Sequence, residues 1–180
     1  MILVTGGARS GKSSYGESLI KEYNNCLYIA TSIPFDEEMK ERVKRHRLDR
    51  PSHWDTLEAY KDFDVLLKDK INDYQGIIVD CITIMISNIL LENCKNMTHE
   101  EFEDAEKIAI EEVDKLLNIL EDFQGRAVIV TNEVGFGVVP ESRLGRYFRD
   151  IAGRVNQLIA KRANEVYLVV SSIPVAIKKV

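Results

Sequence analysis

Ile2-Leu3-Val4-Thr5-Gly6-Gly7-Ala8-Arg9-Ser10-Gly11-Lys12-Ser13 is a short apolar, β-favouring run, then a glycine turn, then a Lys-Ser pair entering a helical pattern. Residues 6–13 fit G-x-x-x-x-G-K-[ST], the phosphate-binding loop. Glycines let a backbone wrap a phosphate chain with its N–H groups turned inward. The start of the following helix adds partial positive charge. Lys12 supplies a cation for β- and γ-phosphates and Ser13 a hydroxyl for Mg²⁺. The pattern lies between an apolar strand and a helix, the context that such a loop requires.

Working outward, apolar β-type runs recur at Leu27–Ala30, Ile77–Val79, Ala127–Val130 and Val166–Val170, with a further candidate at Val175–Ile177. They are continuous rather than alternating, as in strands buried on both faces. Helical patterns are read over residues 12–23, 36–47, 100–123 and 142–163. Phe102, Ala105, Ala109, Val113, Leu116 and Leu120 form one stripe. Leu144, Phe148, Ile151, Val155 and Leu158 form another. Strand–helix alternation predicts an α/β fold, a mostly parallel sheet flanked by helices. The absence of a repeat, a low-complexity tract or a Pro/Gly-rich linker predicts one domain over residues 1–180.

A phosphate loop needs an acidic metal partner at the end of another strand. Asp80, after Ile77-Ile78-Val79, is the candidate, the alternative being a turn or helix-capping Asp. Glu133, after Val130-Thr131-Asn132, stands at a similar strand end. It either orients a nucleophile or the metal, or is a plain loop carboxylate.

The chain has 180 residues, 24 Lys+Arg against 29 Asp+Glu, and a net charge of −5. A dedicated nucleic-acid binder usually carries a net basic face, so none is expected. Three cysteines without a C-x-x-C pair read as reduced thiols of a cytoplasmic protein. The start MILVTGG lacks a basic leader, and the apolar stretch Ile82 to Leu91 is too short to span a bilayer.

GTPase switches carry N-K-x-D-type and D-x-x-G segments, and neither follows Asp80 or Thr131 here. A small-molecule kinase is the simplest reading of the residues. Lys44-Arg45-His46-Arg47 with Arg50 does not fit a plain kinase. The bland alternative is a solvated basic helix end. However, His46 shares a helical face with Val43 and Met39, and surrounding cations favour a neutral imidazole, the form a histidine nucleophile needs.

From these residues the chain is identified as resembling the bifunctional adenosylcobinamide kinase / adenosylcobinamide-phosphate guanylyltransferase family of cobalamin biosynthesis. The resemblance is near end to end. It rests on residues 2–13, Tyr28 to Ser32, Arg42 to Trp54, Asp80 to Thr83, Thr131 to Gly135, and Val139 to Gln157. It implies a P-loop NTPase fold of RecA-like type and a homotrimer. It also implies phosphorylation of the aminopropanol hydroxyl of a corrinoid with ATP or GTP. GMP transfer from GTP through a guanylyl-histidine, here His46, would follow. The nucleotide contacts it implies are Gly6, Gly7, Ala8, Arg9, Ser10, Gly11, Lys12, Ser13, Thr31, Ser32, Ile33, Leu48, Asp49, Arg50, Pro51, Glu58 and Asp80. Ser13 and Asp80 are the implied Mg²⁺ contacts. The alternative is a P-loop kinase without a covalent step.

Arg143, Arg146, Arg149 and Arg154 are read as a corrinoid-phosphate or subunit contact, or as a solvated helix face. His53 and His99 are read as structural or exposed, and Trp54 as core or interface. Two departures from the family pattern stand out. Ser142 replaces a frequent Asn, and Ser172 replaces a frequent Gly, neither being expected to touch the nucleotide map.

Overall fold

Every apolar β-type run named above becomes a strand of one seven-stranded sheet in the computed structural model, which describes residues 1–32, 51–68 and 70–179. The expected helix 36–47, with Ile33, His46, Leu48, Asp49 and Arg50, lies outside the described residues.

The strands are β1 (Ile2–Gly6), β2 (Cys26–Ala30), β3 (Asp55–Glu58), β4 (Gly76–Asp80), β5 (Arg126–Asn132), β6 (Glu165–Val170) and β7 (Ile173–Lys179). Their order is β3-β2-β4-β5-β1-β6-β7. All neighbours pair parallel except β6 and β7, an antiparallel hairpin at one edge. The mostly parallel α/β expectation therefore holds, and the strand expected at Val175–Ile177 is real but runs against the others.

The described helices are α1 (Lys12–Ser18), α2 (Phe63–Leu67), α3 (Ile82–Asn93), α4 (His99–Asp122) and α5 (Arg143–Arg162). Alternation along each strand sends successive side chains to opposite faces. Leu3, Ile29, Ile77, Val79 and Ile129 face the larger core with α3, α4 and α5. Ile2, Val4, Tyr28, Ile78, Val128 and Val130 face a smaller one with Ile20 and Trp54. Trp54 is buried there, in keeping with a core position.

α4 begins with a capping box: Thr98 accepts from Glu101 N, and the Glu101 side chain accepts from Thr98 N. That box offsets orphan N–H groups and sets the helix start. Its predicted apolar stripe is buried throughout. α5 starts at Ser142, whose hydroxyl accepts from Gly145 N at 3.1 Å. Ser and Asn cap helices about equally well, so Ser142 serves here as the Asn of the expected family pattern would.

Four elements differ from expectation, the first being α2 (Phe63–Leu67), for which no helical pattern is read. α1 ends at Ser18 rather than at residue 23, and the chain continues in short turns such as Leu19 N to Gly16 O and Ile20 N to Glu17 O. Ile82–Asn93 is a helix with seven buried residues, among them Ile82, Met85, Ile86 and Ile89. In the sequence it shows only as an apolar stretch, because a helix buried nearly all round has little periodicity. β3 carries no strand signal, since Asp-Thr-Leu-Glu has no apolar run; it forms by pairing with the open edge of β2. Among the described residues no helix is long and apolar enough to cross a membrane.

Candidate active site

Parallel register brings the carboxyl ends of β1 to β5 to one edge of the sheet. Glu58 pairs with Ala30, Ala30 with Asp80, Asp80 with Val130, and Asn132 with Gly6. Ligands of open α/β sheets bind at this edge. Pairing places β5 between the Gly6 strand and the Asp80 strand.

The loop from Gly6 to Gly11 closes on itself. Ser10 N donates to Gly7 O at 3.2 Å, and Lys12 Nζ reaches back to Gly7 O at 3.3 Å. Lys12 is buried, so its ammonium is held across the loop rather than in water. Gly7, Ala8 and Arg9 are exposed on the ligand side, and Ser13 is half-buried at the head of α1. Thr5 Oγ1 and Ser10 Oγ are buried without a hydrogen-bond partner among the described residues.

Two glycines are obligatory. A Cβ on Gly6 would lie 2.5 Å from Val169 O and 2.6 Å from Ser10 Oγ. Gly11 has φ +90, where L side chains are strained, and a Cβ there would meet Ser172 Oγ at 2.6 Å. Ser171 and Ser172, with φ 50 and 66, form the two-residue turn between β6 and β7. Positive φ at both positions suits a tight hairpin and explains a preference for Gly there. Ser172 N donates to Ser10 O at 2.7 Å. The expectation that position 172 stays clear of the nucleotide map is therefore corrected: the hairpin turn braces the phosphate loop itself. No sequence signal marks that contact, because it depends on β6 lying beside β1.

Asp80 stands half-buried at the end of β4 and accepts from Tyr28 Oη at 2.6 Å. Thr31 is wholly buried and ties the ends of β2 and β4 together. Its hydroxyl donates to Cys81 O at 2.7 Å and accepts from Cys81 N at 2.9 Å, while Thr31 O accepts from Asn88 Nδ2 at 2.8 Å. Burial pushes the Cys81 thiol pKa up, with the Asp80 charge adding to it, so this thiol is an inert neighbour. Ser32 and Pro51 are half-buried, and Glu58 is exposed at the end of the edge strand β3. The structure thus brings Gly6–Ser13 and Asp80 to one stretch of the edge, with Glu58 farther along it.

Ser13 and Asp80 offer a hydroxyl and a carboxylate, hard oxygen donors of the kind Mg²⁺ takes. No group of three or more His, Cys, Asp or Glu side chains forms a metal cage among the described residues. An ion here would complete its shell with phosphate oxygens and water, as Mg²⁺ commonly does.

Beyond Asn132, Glu133 N donates to Gly6 O at 3.0 Å, and Glu133 Oε1 accepts from Gly135 N at 2.8 Å. A cleft of about 370 Å³ opens beside it, between Ala8, α3 and Phe148.

The four arginines singled out on the last helix, Arg143, Arg146, Arg149 and Arg154, already have partners. Arg146 donates to Pro140 O and Glu141 O, fastening the loop before α5. Arg154 forms an ion pair with Glu106, and Arg143 lies over the Phe102 and Tyr147 rings. Arg149 sits near Asp150 at 3.9 Å. These contacts favour a structural role for the set. His53 is exposed, and His99 pairs with Tyr147 and Glu103 near the surface.

Residues 2–177 match the family described as cobinamide kinase / cobinamide phosphate guanyltransferase. The chain is 47% identical to the bifunctional adenosylcobalamin biosynthesis protein CobU of Escherichia coli over 180 residues, 99% of each chain. It is 46% identical to the CobU protein of Salmonella typhimurium, again over 99% of each. To the bifunctional adenosylcobalamin biosynthesis protein CobP of Pseudomonas aeruginosa it is 37% identical, over 98% of this chain and 96% of that one.

Proposed function

This chain belongs to the cobinamide kinase / cobinamide phosphate guanyltransferase family, and from that footing we propose how its residues divide the two transfers. In the first, the loop Gly6–Gly11 holds a nucleoside triphosphate, ATP or GTP, with Lys12 against its β- and γ-phosphates. The hydroxyl of adenosylcobinamide attacks the γ-phosphorus, an O–P bond forms, and the nucleoside diphosphate leaves. Bound between Ser13, Asp80 and the phosphates, Mg²⁺ would neutralise the charge that develops on the transferring group. Tyr28 holds the Asp80 carboxylate toward the edge through its 2.6 Å hydrogen bond.

In the second transfer His46 attacks the α-phosphorus of GTP and pyrophosphate leaves. The phosphate of the acceptor then displaces the histidine, giving adenosylcobinamide-GDP. Splitting the transfer in this way exchanges one difficult displacement for two easier ones. Thr31, Ser32, Ile33, Leu48–Pro51 and Glu58 are assigned to the guanosine side of the site. Among the described positions, Thr31 acts by fixing the end of β2, since its polar atoms are all engaged.

What supports this reading most is the extent of the family match. It runs over residues 2–177 and so covers the phosphate loop, Asp80 and His46 together. We further assign the protein to the cytoplasm as a homotrimer. Ile173, Val175 and Ile177 lie exposed along the edge strand β7, an apolar strip that a second copy would cover.

Incubation with α-³²P-GTP is the test. The protein should acquire an acid-labile, base-stable label, as phosphoramidates do, and His46→Ala should acquire none. Label that survives His46→Ala, or none on the parent protein, overturns the guanylyl-histidine. Lys12→Ala should lower both transfers by on the order of 100-fold or more, since it removes charge stabilisation of the transferring phosphates.

A further inference from the structure

We propose that Glu133 takes the proton of the acceptor hydroxyl in the kinase step alone, and that the cleft beside it seats the hydroxyl-bearing arm of the acceptor. This rests on the reading above and assigns the acceptor side of that same site.

Placement comes first. β5 runs two residues past Val130, the partner of Asp80, so its end stands beside the first loop glycine, with Asn132 paired to Gly6. The 3.0 Å bond from Glu133 N to Gly6 O then fixes the next residue against the phosphate loop. One carboxylate oxygen, Oε1, is held by Gly135 N at 2.8 Å. The other, Oε2, takes no hydrogen bond among the described residues and is the atom left to receive a proton.

The cleft supplies the second observation. Its volume of about 370 Å³ is within the range of small-molecule sites but takes only part of a corrinoid. Ala8 of the phosphate loop and Glu133 both line it, so whatever lies there meets the end of a bound triphosphate. Ile84, Leu91, Val134 and Phe148 give it apolar walls, and Asn88 and Asn132 add amides. Glu133 is the one ionisable residue among its described lining. With no lysine or arginine among that described lining, the cleft suits an uncharged, amide-bearing arm rather than a second phosphate. A hollow of about 240 Å³ that shares Ser87, Leu91 and Phe148 extends the surface toward the start of α5, room for more of the macrocycle's edge.

The chemistry confines the role to one step. A hydroxyl attacking γ-phosphorus must lose its proton as the O–P bond forms, and a positioned carboxylate takes it while the nucleoside diphosphate leaves. In the guanylyl transfer the acceptor displaces His46 with an oxygen of a phosphate monoester, already ionised, so the acceptor has no hydroxyl proton to give up. Asp80 is no substitute, being engaged by Tyr28, and Glu58 lies three strand positions away on β3.

Glu133→Gln is the variant of choice, because its amide oxygen still accepts from Gly135 N. The half-reactions are measured separately: phosphorylation of adenosylcobinamide with ATP, and GMP transfer from GTP to supplied adenosylcobinamide phosphate. The ratio of kinase to guanylyltransferase turnover should fall about 100-fold or more. Equal losses in both halves, or none in either, overturn the base assignment. Leu91→Glu tests the seat, since Leu91 is 52% exposed and its replacement leaves the core intact. It should raise KM for adenosylcobinamide about 10-fold or more and leave KM for ATP alone; an unchanged corrinoid KM removes the cleft from the site. Should the unaltered protein perform neither transfer, the underlying reading fails and takes this inference with it.

Discussion

Among the described residues, the two faces of the sheet are covered unequally. One carries α3, α4 and α5 over a core that includes Ile86, Phe102, Leu116, Ile151 and Val155. The other carries, among the described residues, the seven residues of α1, the turns to Ile20, and Trp54. Yet it is the thinly covered face to which the phosphate loop leads, because α1 starts at Lys12. Stability is thus lodged mainly on one side, and the loop's geometry is carried by backbone contacts at the strand ends rather than by deep packing. Altering the thick face should therefore cost stability, and altering the loop's supports should cost binding.

The largest expected effect tests the thick face. Phe102 is fully buried and stacks on Tyr147 with ring centroids 4.0 Å apart. Phe102→Ala should lower unfolding free energy by about 3–5 kcal/mol, a cavity cost typical of a buried aromatic. Urea denaturation measures it, and ATP affinity of the folded protein should not move. A weakened affinity with stability intact would reverse the division between the faces.

The thin face is nevertheless dry, and Cys26 reports it. This residue is fully buried, and its Sγ lies 3.5 Å from Ile20 O. Burial pushes its pKa up from 9.0 to about 11. The unfolded chain gives up this proton near the ordinary thiol value and the folded chain holds it. The contribution is therefore whole below pH 9.0 and lost as pH rises through about 11. The expected loss is roughly 2 kcal/mol across that window. Thiolate absorbance of the native protein against Cys26→Ala gives the titration directly. Ionisation near the ordinary value would mean that α1 leaves this face open to water.

The same contrast governs what can be read from the chain. β1, the loop and the start of α1 are legible, since a local pattern fixes glycine torsions and the Lys-Ser pair whatever surrounds them. α4 is legible because an amphipathic stripe faces a single core. α3 loses its period by being buried on most sides, and β3 owes its pairing to an edge of β2 that no local signal reveals. At the site, Asp80 follows from its strand. Glu133 stands out as a strand-end carboxylate, but its role depends on Gly6 and Ala8, which only the β5–β1 pairing brings near. The contact of Ser172 with Gly11 joins opposite ends of the chain and has no signature in either.

Ser172 gives the smallest test and the sharpest one for backbone bracing. Its φ of 66 is strained for a residue with a Cβ, and Ser172→Gly relieves that strain. It also removes the hydroxyl that packs on Gly11. The brace itself, Ser172 N to Ser10 O at 2.7 Å, uses only backbone and survives the change. Relief should therefore outweigh the lost packing, raising stability by about 0.5 kcal/mol, with ATP affinity changed less than about twofold. Calorimetry of binding and thermal unfolding measure the two effects. Affinity lost severalfold would mean that the serine side chain, and not the turn's backbone, holds the phosphate loop in shape.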